Sequence, residues 1–532
     1  MRLIFLVLAL LSVSLGFWMG HPSKKETRLS VQPEKNFPLV EYKPFVFIVY
    51  ASNNAFWCER SLRSIFAQEY EHYRVVLVDD ASTDGTFEKM REFVVAMQQE
   101  GRVILMRNEA KIGPVGSLYR AIDHCLDREI AIPLDAKDWL VHPSQLNSLN
   151  GIYQNPDVWT VQGGEIAYPS YEKRMSPQIS AFYAGLFKQI RLPDLFQNGE
   201  FTQDKNGYLT PLAELAGGRL RKVARPLFFV NGASPAPLTP PSPLPSHYDP
   251  LVQFPKPSEG HQVDLVLFSY NRPLQLYACL ESVSRYVTGV GKLSVLYRAD
   301  TPAFAVGYEK VARDFPQATF VAQSEKPKKD FKPHVLDLVF GSSSPYIVMG
   351  VDDLIVKDFV DLEQCGQLLD RTQGYGVYLR LGKNIHYSYQ ADREQPVPPS
   401  VKVADGVYAW DLSLGQADWR FPNTLDLTVY SKAAIREAFE KMKFQTPNSL
   451  EFVWARDYWP KKAVGLYFEQ SKVVNVPLNV VSRTGNPHMN AFSPEELLVK
   501  FDEGLKIDVE PFFQMENASP HVDCLPRFVT KP

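Results

Sequence analysis

Arg74-Val75-Val76-Leu77-Val78-Asp79-Asp80-Ala81-Ser82-Thr83-Asp84-Gly85-Thr86 decides the fold of this 532-residue chain. The apolar run Val75 to Val78 is too short for a helix and rich in β-branched residues, so it predicts a buried parallel strand. Two carboxylates stand at its C-terminal end, the edge of an open α/β sheet where ligands bind. Ser82, Thr83, Asp84 and Gly85 supply a turn and the cap of a helix starting near Thr86. The acidic pair Asp79 and Asp80 is therefore placed to accept hydrogen bonds from a nucleoside's ring N–H or ribose hydroxyls. An ordinary Asx-turn between strand and helix is the competing reading.

Outward from this stretch the alternation continues. Strands are predicted over 45–50, 75–78, 103–106 and 130–134, with helices over 55–67, 86–99 and 116–125. Such spacing predicts a parallel, doubly wound α/β sheet. Its last strand runs into Leu134-Asp135-Ala136-Lys137-Asp138-Trp139, which again puts carboxylates at a strand's C-terminal edge. Between 232 and 260 the composition changes: Ser234-Pro235-Ala236-Pro237 and Thr239-Pro240-Pro241-Ser242-Pro243-Leu244-Pro245 can make neither a ladder nor a helix interior. That segment reads as a semi-rigid, polyproline-like linker.

Past the linker the order of elements starts again. A strand over 263–268 leads into Ser269-Tyr270-Asn271-Arg272-Pro273, and a helix follows through Cys279-Leu280-Glu281-Ser282. Asn53 precedes Leu62 and Ser64 by the same intervals at which Asn271 precedes Leu280 and Ser282. Strands over 293–297 and 346–349 come next, the second leading into Gly350-Val351-Asp352-Asp353-Leu354. Each half thus carries one sheet and one acidic strand end.

Composition bounds the partners. Apolar content of 45% and charged content of 22% are those of globular protein, with length for two or three domains. A net charge of −3 argues against a nucleic-acid partner, which would demand a basic face. The cluster Lys326, Lys328, Lys329 and Lys332 reads as a solvated loop, with a diphosphate contact as the minority reading. Five scattered cysteines without a C-x-x-C pair predict neither a disulfide framework nor a zinc site. From Leu3 to Met19 the chain is almost wholly apolar, flanked by Arg2 and by Lys24 and Lys25. A poor cleavage pattern favours an uncleaved membrane anchor over a signal peptide, on an undetermined side of the membrane. The expected division is an anchor or signal peptide over 1–20, a tether over 21–43, domains over 44–231 and 261–500 flanking a linker over 232–260, and a strap over 501–532.

Residues 45 to 145 resemble a family 2 glycosyltransferase of the GT-A fold. The resemblance rests on Ser52-Asn53, Leu62-x-Ser64-Ile65-x-x-Gln68, Val78-Asp79-Asp80-Ala81-Ser82-Thr83-Asp84-Gly85-Thr86 and Leu134-Asp135-Ala136-Lys137-Asp138. Residues 263 to 365 resemble the same fold more loosely, through Tyr270-Asn271-Arg272, Cys279-Leu280-x-Ser282 and Val351-Asp352-Asp353. The resemblance implies two tandem GT-A-like domains and an inverting transfer of a sugar from a nucleotide-diphospho-sugar donor to a hydroxyl of a glycan or lipid-linked acceptor. It implies a donor-nucleotide site drawn from Asn53, Asp79, Asp80, Asp84, Asn271 and Arg298. It further implies a divalent cation, Mg2+ or Mn2+, on oxygen ligands among Asp135, Asp138, Asp352 and Asp353. A carboxylate base must take the acceptor's proton; the matches are Asp204 in the first half and Glu451, behind the helix cap Asn448-Ser449, in the second.

Both halves depart from the family pattern. Aligning Asp138 with Asp353 puts Lys137 opposite Asp352 and Asp135 opposite Gly350, so a lysine stands where the usual metal ligand belongs. The second half has Tyr297-Arg298-Ala299-Asp300 in place of the first half's acidic signature. Three arrangements are compatible: two active transferases, one active half beside a decayed copy that binds acceptor, or a non-catalytic carbohydrate-binding scaffold. The second is favoured, with the C-terminal half active, because Asp352-Asp353 keeps an intact pair. Trp410, Trp419, Trp454 and Trp459 offer stacking faces for sugars or plain core. The turn Ser482-Arg483-Thr484-Gly485-Asn486-Pro487-His488 is a further diphosphate candidate, 495–508 reads as an amphipathic helix, and Asn517 heads a lone N-x-S sequon. A nucleotidyltransferase, the rival enzyme class, would show a Gly-rich phosphate loop after the first strand, where this chain has Ser52-Asn53-Asn54.

Overall fold

The structure, a computed structural model, describes residues 41–176, 178–232, 248–254, 261–461, 463–479 and 491–531. The apolar segment at 3–19, most of the tether and linker, and the turn at 482–488 lie outside the described residues. Among those described, no helix is long and apolar enough to cross a membrane.

The first sheet is built as its patterning requires. Strands β1 (Phe45–Ala51), β2 (Tyr73–Asp79), β3 (Val103–Arg107) and β4 (Ile130–Asp135) lie in the order β3-β2-β1-β4, all parallel. Every residue of β1 is buried, as a strand covered on both faces must be. Helices α1 (Cys58–Phe66), α2 (Thr86–Ala96) and α3 (Gly113–Ile122) make the connections. Helix α3 begins three residues before its predicted start, because Pro114 is tolerated in the first turn, where its missing N–H has no partner to lose.

Beyond β4 the sheet turns mixed. Strand β5 (Trp139–Leu140), β6 (Thr160–Tyr168), β7 (Ala181–Tyr183) and β8 (Leu220–Asn231) extend it in the order β4-β7-β6-β8-β5, with β7 antiparallel to both β4 and β6. Helix α4 (Asn206–Ala216) precedes β8. The expectation of a purely parallel sheet therefore holds for the first four strands only; the rest is antiparallel-rich, where no strand–helix alternation existed to be read.

The second sheet repeats the scheme. Strands β9 (Val263–Tyr270), β10 (Val290–Arg298), β11 (Ala318–Ala322) and β12 (Tyr346–Val351) lie as β11-β10-β9-β12, all parallel. The order continues from β12 through β13 (Gly376–Tyr378), β14 (Ser400–Ala404), β15 (Val407–Asp411), β16 (Thr428–Ser431) and β17 (Val464–Phe468) as β12-β16-β13-β17-β15-β14, with β16 antiparallel to β12. Helices α5 (Pro273–Tyr286), α6 (Pro302–Asp314), α7 (Pro327–Phe340), α8 (Leu362–Thr372), α9 (Lys432–Lys441), α10 (Pro447–Asp457) and α11 (Pro494–Asp502) surround it. Helix α11 is shorter than the predicted 495–508, and Gly504, with φ +84°, follows its end.

Residues Tyr42–Pro532 cluster as one unit, and one contiguous apolar cluster runs from Val46 and Val115 to Leu265 and Val348. Polar contacts join the sheets as well: Arg371 of α8 pairs with Asp123 at 3.1 Å and Lys402 of β14 with Glu109 at 2.8 Å. Cys58, Cys125, Cys279 and Cys365 are free and buried, as core residues.

Candidate functional site

The loops after the first strand of each sheet are built alike. Asn53 and Asn271 take left-handed backbone, with φ of 56° and 52°, a conformation asparagine tolerates better than most residues. The Asn53 carboxamide oxygen accepts from the Thr83 N–H at 2.9 Å, and that of Asn271 accepts from the Asp300 N–H at 2.9 Å. Each asparagine therefore ties the first strand's loop to the second's, and its carboxamide oxygen is committed to backbone.

The acidic signature is similarly engaged. Asp80 is buried and accepts from the Ile112 and Gly113 N–H groups, both at 2.8 Å, where the N-terminus of α3 favours a negative charge. Asp79 accepts from the Ser82 N–H and lies 3.3 Å from the Arg107 guanidinium. Asp84 accepts from the N–H groups of Ala55 and Thr86. Gln203 packs over the N-terminus of α3, where a Cβ at Gly113 would collide with its carboxamide. The hydrogen bonds of these three aspartates build the loop, from backbone N–H groups and from the side chains of Asn108, Thr86 and Arg107.

At the end of β4, Asp135 and Asp138 line a pocket of about 40 Å3 with Tyr50, Glu165, Lys205 and Tyr208. Burial, then the neighbouring Asp135, push the Asp138 carboxyl up to about 7. Lys205 answers this charge: it lines the same pocket, its ammonium lies 5.0 Å from the Tyr50 ring centre, and burial lowers its pKa against the pull of both aspartates. Lys137 adds a weaker contact, 3.8 Å from Asp135. Asp204, expected as a base, is exposed and accepts from the Asn206 N–H in a turn leading into α4. Its neighbour Lys205 enters the pocket in its stead.

The corresponding edge of the second sheet opens onto a cleft of about 890 Å3, within the range of small-ligand sites. Asp352, Asp353, Arg298 and Glu451 line it, together with Arg272 and Lys328. Arg272 is buried, and its Nη1 donates to Asp352 Oδ1 at 3.0 Å and Asp353 Oδ2 at 3.1 Å. Burial raises the Asp352 pKa while Arg272 pulls it down. Arg298 lies over the Tyr270 ring at 4.7 Å and donates to Asp300, which also accepts from the Tyr270 hydroxyl.

Glu451 enters the opposite wall from α10, which starts with a capping box of Thr446 and Ser449. It accepts from the Leu425 N–H at 2.9 Å. Burial, with Asp426 next in weight, pushes its carboxyl up to about 7. Arg380, buried behind it, donates to Asp418 at 3.3 Å and lies 3.8 Å from Asp426. A carboxyl poised near neutrality can both take and return a proton, which general acid–base chemistry requires.

Neither acidic edge fits a divalent cation as it stands. Arg272 bridges the two aspartates of the second half, while Lys205 faces those of the first. Among the described residues, no group of three or more His, Cys, Asp or Glu side chains is arranged to hold a metal ion.

Other expectations are corrected by burial. Trp410, Trp419 and Trp454 are fully buried, Trp410 and Trp419 against Tyr467, so they are core and not stacking faces. Gly465 exists to admit the Trp410 ring, which lies where a Cβ would be. Asn517 of the sequon is buried and donates to the Ser519 carbonyl at 2.8 Å. Of the lysine cluster, Lys328 reaches the cleft, whereas Lys332 donates to the Glu440 and Met442 carbonyls. Arg272, Arg380, Asp426 and Lys205 were not singled out in the sequence. Arg272 had a signal, lying between Asn271 and the helix-starting Pro273; the other three are brought in by tertiary contacts.

Residues 47–208 match the family model described as glycosyl transferase family 2. The bifunctional glycosyltransferase pgtA of Dictyostelium discoideum is 24% identical over 186 residues, covering 32% of this chain and 24% of that protein. Succinoglycan biosynthesis protein ExoO of Rhizobium meliloti (strain 1021) is 30% identical over 187 residues, covering 34% of this chain and 50% of that protein. The chain thus spans half or less of the length of these curated relatives. Among solved structures, S. aureus TarS 1-349 in complex with UDP-GlcNAc is 15% identical, with a TM-score of 0.30 over 36% of this chain and 59% of that one. The mannosyltransferase PcManGT from Pyrobaculum calidifontis, in complex with GDP-Man and Mn2+, is 21% identical, with a TM-score of 0.29 over 39% of this chain and 62% of that one. The segment of this chain that is similar to the glycosyl transferase family 2 model begins within β1, contains the stretch 74–86 and the Asp135–Asp138 edge, and ends in α4.

Proposed function

We propose that the chain transfers a sugar from a nucleotide-diphosphate donor to a hydroxyl of a glycan or lipid-linked glycan acceptor, with inversion. In this reading the second sheet is another copy of the same fold and its cleft is the reaction site, while the first half is an accessory copy. The observation that carries it is the contrast between the two acidic edges: a cleft of about 890 Å3 at one and a pocket of about 40 Å3, faced by Lys205, at the other.

Each step falls to a residue of the cleft. Glu451, as carboxylate, takes the acceptor's hydroxyl proton while that oxygen forms its bond to the anomeric carbon and the bond from that carbon to the diphosphate breaks. The diphosphate leaves with the electron pair. Arg298, tied to Asp300, and Lys328 are the cleft-lining cations that would meet the departing charge. Residues 3–19 would tether the protein to a membrane, which fits an acceptor carried on a lipid.

The test is release of UDP or GDP from a set of sugar nucleotides incubated with the full chain, alone and with glycan acceptors. Release that Glu451→Gln abolishes supports the assignment. Absence of release from every donor, or full release by Glu451→Gln, overturns it.

A further inference from the structure

We propose that at each acidic strand end a side-chain cation of this chain takes the place in which the family resemblance puts a divalent metal ion, Arg272 in the second half and Lys205 in the first. For its ligand, though not for the assignment of the cations, this inference rests on the donor site proposed above.

At the second edge every carboxylate oxygen has a donor. Arg272 Nη1 serves Asp352 Oδ1 and Asp353 Oδ2. Asp352 Oδ2 accepts from Ser269 Oγ at 2.7 Å and from the Tyr270 N–H at 3.3 Å, and Asp353 Oδ1 accepts from Asn475 Nδ2 at 3.2 Å. The guanidinium is itself fixed: Nε donates to Asn479 Oδ1 at 2.8 Å and Nη2 to the Asn479 carbonyl. Pro273 opens α5 directly after it, so the backbone that carries Arg272 is set by the helix start. Mg2+ or Mn2+ needs carboxylate oxygens at about 2.0–2.2 Å and would have to expel a clamped guanidinium that never loses its proton.

The first edge reaches the same end with other residues. Asp138 Oδ1 accepts from the Asn231 N–H at 2.8 Å and Asp135 Oδ1 from the Lys137 N–H at 3.1 Å, while Lys205 lines the same pocket with its ammonium 5.0 Å from the Tyr50 ring centre, a through-space charge and not a direct ion pair. The two cations come from unrelated positions, one before the first helix of its sheet and one before α4. The shared feature is neutralisation from within. The donor's diphosphate is then held by two cations that line the cleft, half-buried Arg298 and exposed Lys328.

Two titrations of the full chain decide the matter. In the first, Mn2+ alone is added and its free concentration followed by electron paramagnetic resonance. Wild type is expected to sequester none at equimolar concentration. Arg272→Gln is expected to gain a site, which adding Asp352→Asn and Asp353→Asn removes again. Uptake of one Mn2+ per chain by wild type, lost in Asp353→Asn, overturns the proposal. This wild-type result stands even if thermal melting shows Arg272→Gln to be unfolded.

In the second, UDP and GDP are titrated calorimetrically with EDTA or with Mn2+. Affinities equal within about twofold, and weakened about tenfold to a hundredfold by Arg298→Ala with Lys328→Ala, support the proposal. Affinity that Mn2+ raises about tenfold or more overturns it. If neither nucleotide binds under either condition, the donor-site reading falls, and the manganese titration still decides the cation assignment.

Discussion

Glu451 and Lys205 show how a single ionisable group reports its surroundings. The Glu451 carboxyl, at about 7 in the fold against an ordinary 4.5, keeps a proton that the unfolded chain releases. Folding stability therefore falls as pH rises from about 4.5 to 7, by up to about 3 kcal/mol, and Glu451→Gln should remove that slope in denaturation series at pH 5 and pH 8. The proposed base works only as carboxylate, so transfer should rise with pH through about 7. At pH 8, Glu451→Gln should lower kcat by about 10²–10⁴ while nucleotide affinity stays within about twofold. Lys205→Met should cost about 1–3 kcal/mol at pH 8 and less at pH 5, because Asp138, titrating near 7, is protonated at the lower pH and no longer needs a counter-charge. A loss equal at both pH values would show that Lys205 contributes packing and not charge.

Between strand and helix, the two loops stapled by Asn53 and Asn271 demand the same compromise. Replacing either asparagine by glycine keeps the left-handed backbone and removes one hydrogen bond, at about 1 kcal/mol. Alanine removes the same bond and adds the left-handed strain, for about 1 kcal/mol more. Urea denaturation should rank wild type above glycine above alanine at both positions; alanine equal to glycine would mean that the loop relaxes. The equal spacing from Asn53 to Leu62 and from Asn271 to Leu280 was legible in the sequence because a strand–loop–helix unit imposes it locally. Strands β13, β16 and β17 were not legible because they are short and pair with partners distant in sequence, whereas the β14–β15 hairpin around Asp405-Gly406 carried a local turn signal that went unread.

Across the whole molecule, the two sheets share an apolar cluster and the Arg371–Asp123 pair at 3.1 Å. Burial raises the Asp123 carboxyl to about 6 against the pull of Arg371. Arg371→Ala should therefore lower stability by about 2 kcal/mol at pH 8, and Asp123→Asn in the same chain should restore part of it. Melting should remain one transition for wild type; two separate transitions would show that the sheets do not support each other. The parallel core of each sheet and the two acidic strand ends were determined by the sequence alone, because apolar runs and turn residues act over a few neighbouring positions; the cap before Glu451, read as Asn448-Ser449, is Thr446 with Ser449 completing the capping box. Only the tertiary structure decided which acidic edge stays open, since that depends on where remote side chains are carried: Arg272 clamped by Asn479, Lys205 and Gln203 folded over the first half, Arg380 behind Glu451. Charge acts through space, and a carboxylate's partner is set by the fold and not by its neighbours along the chain.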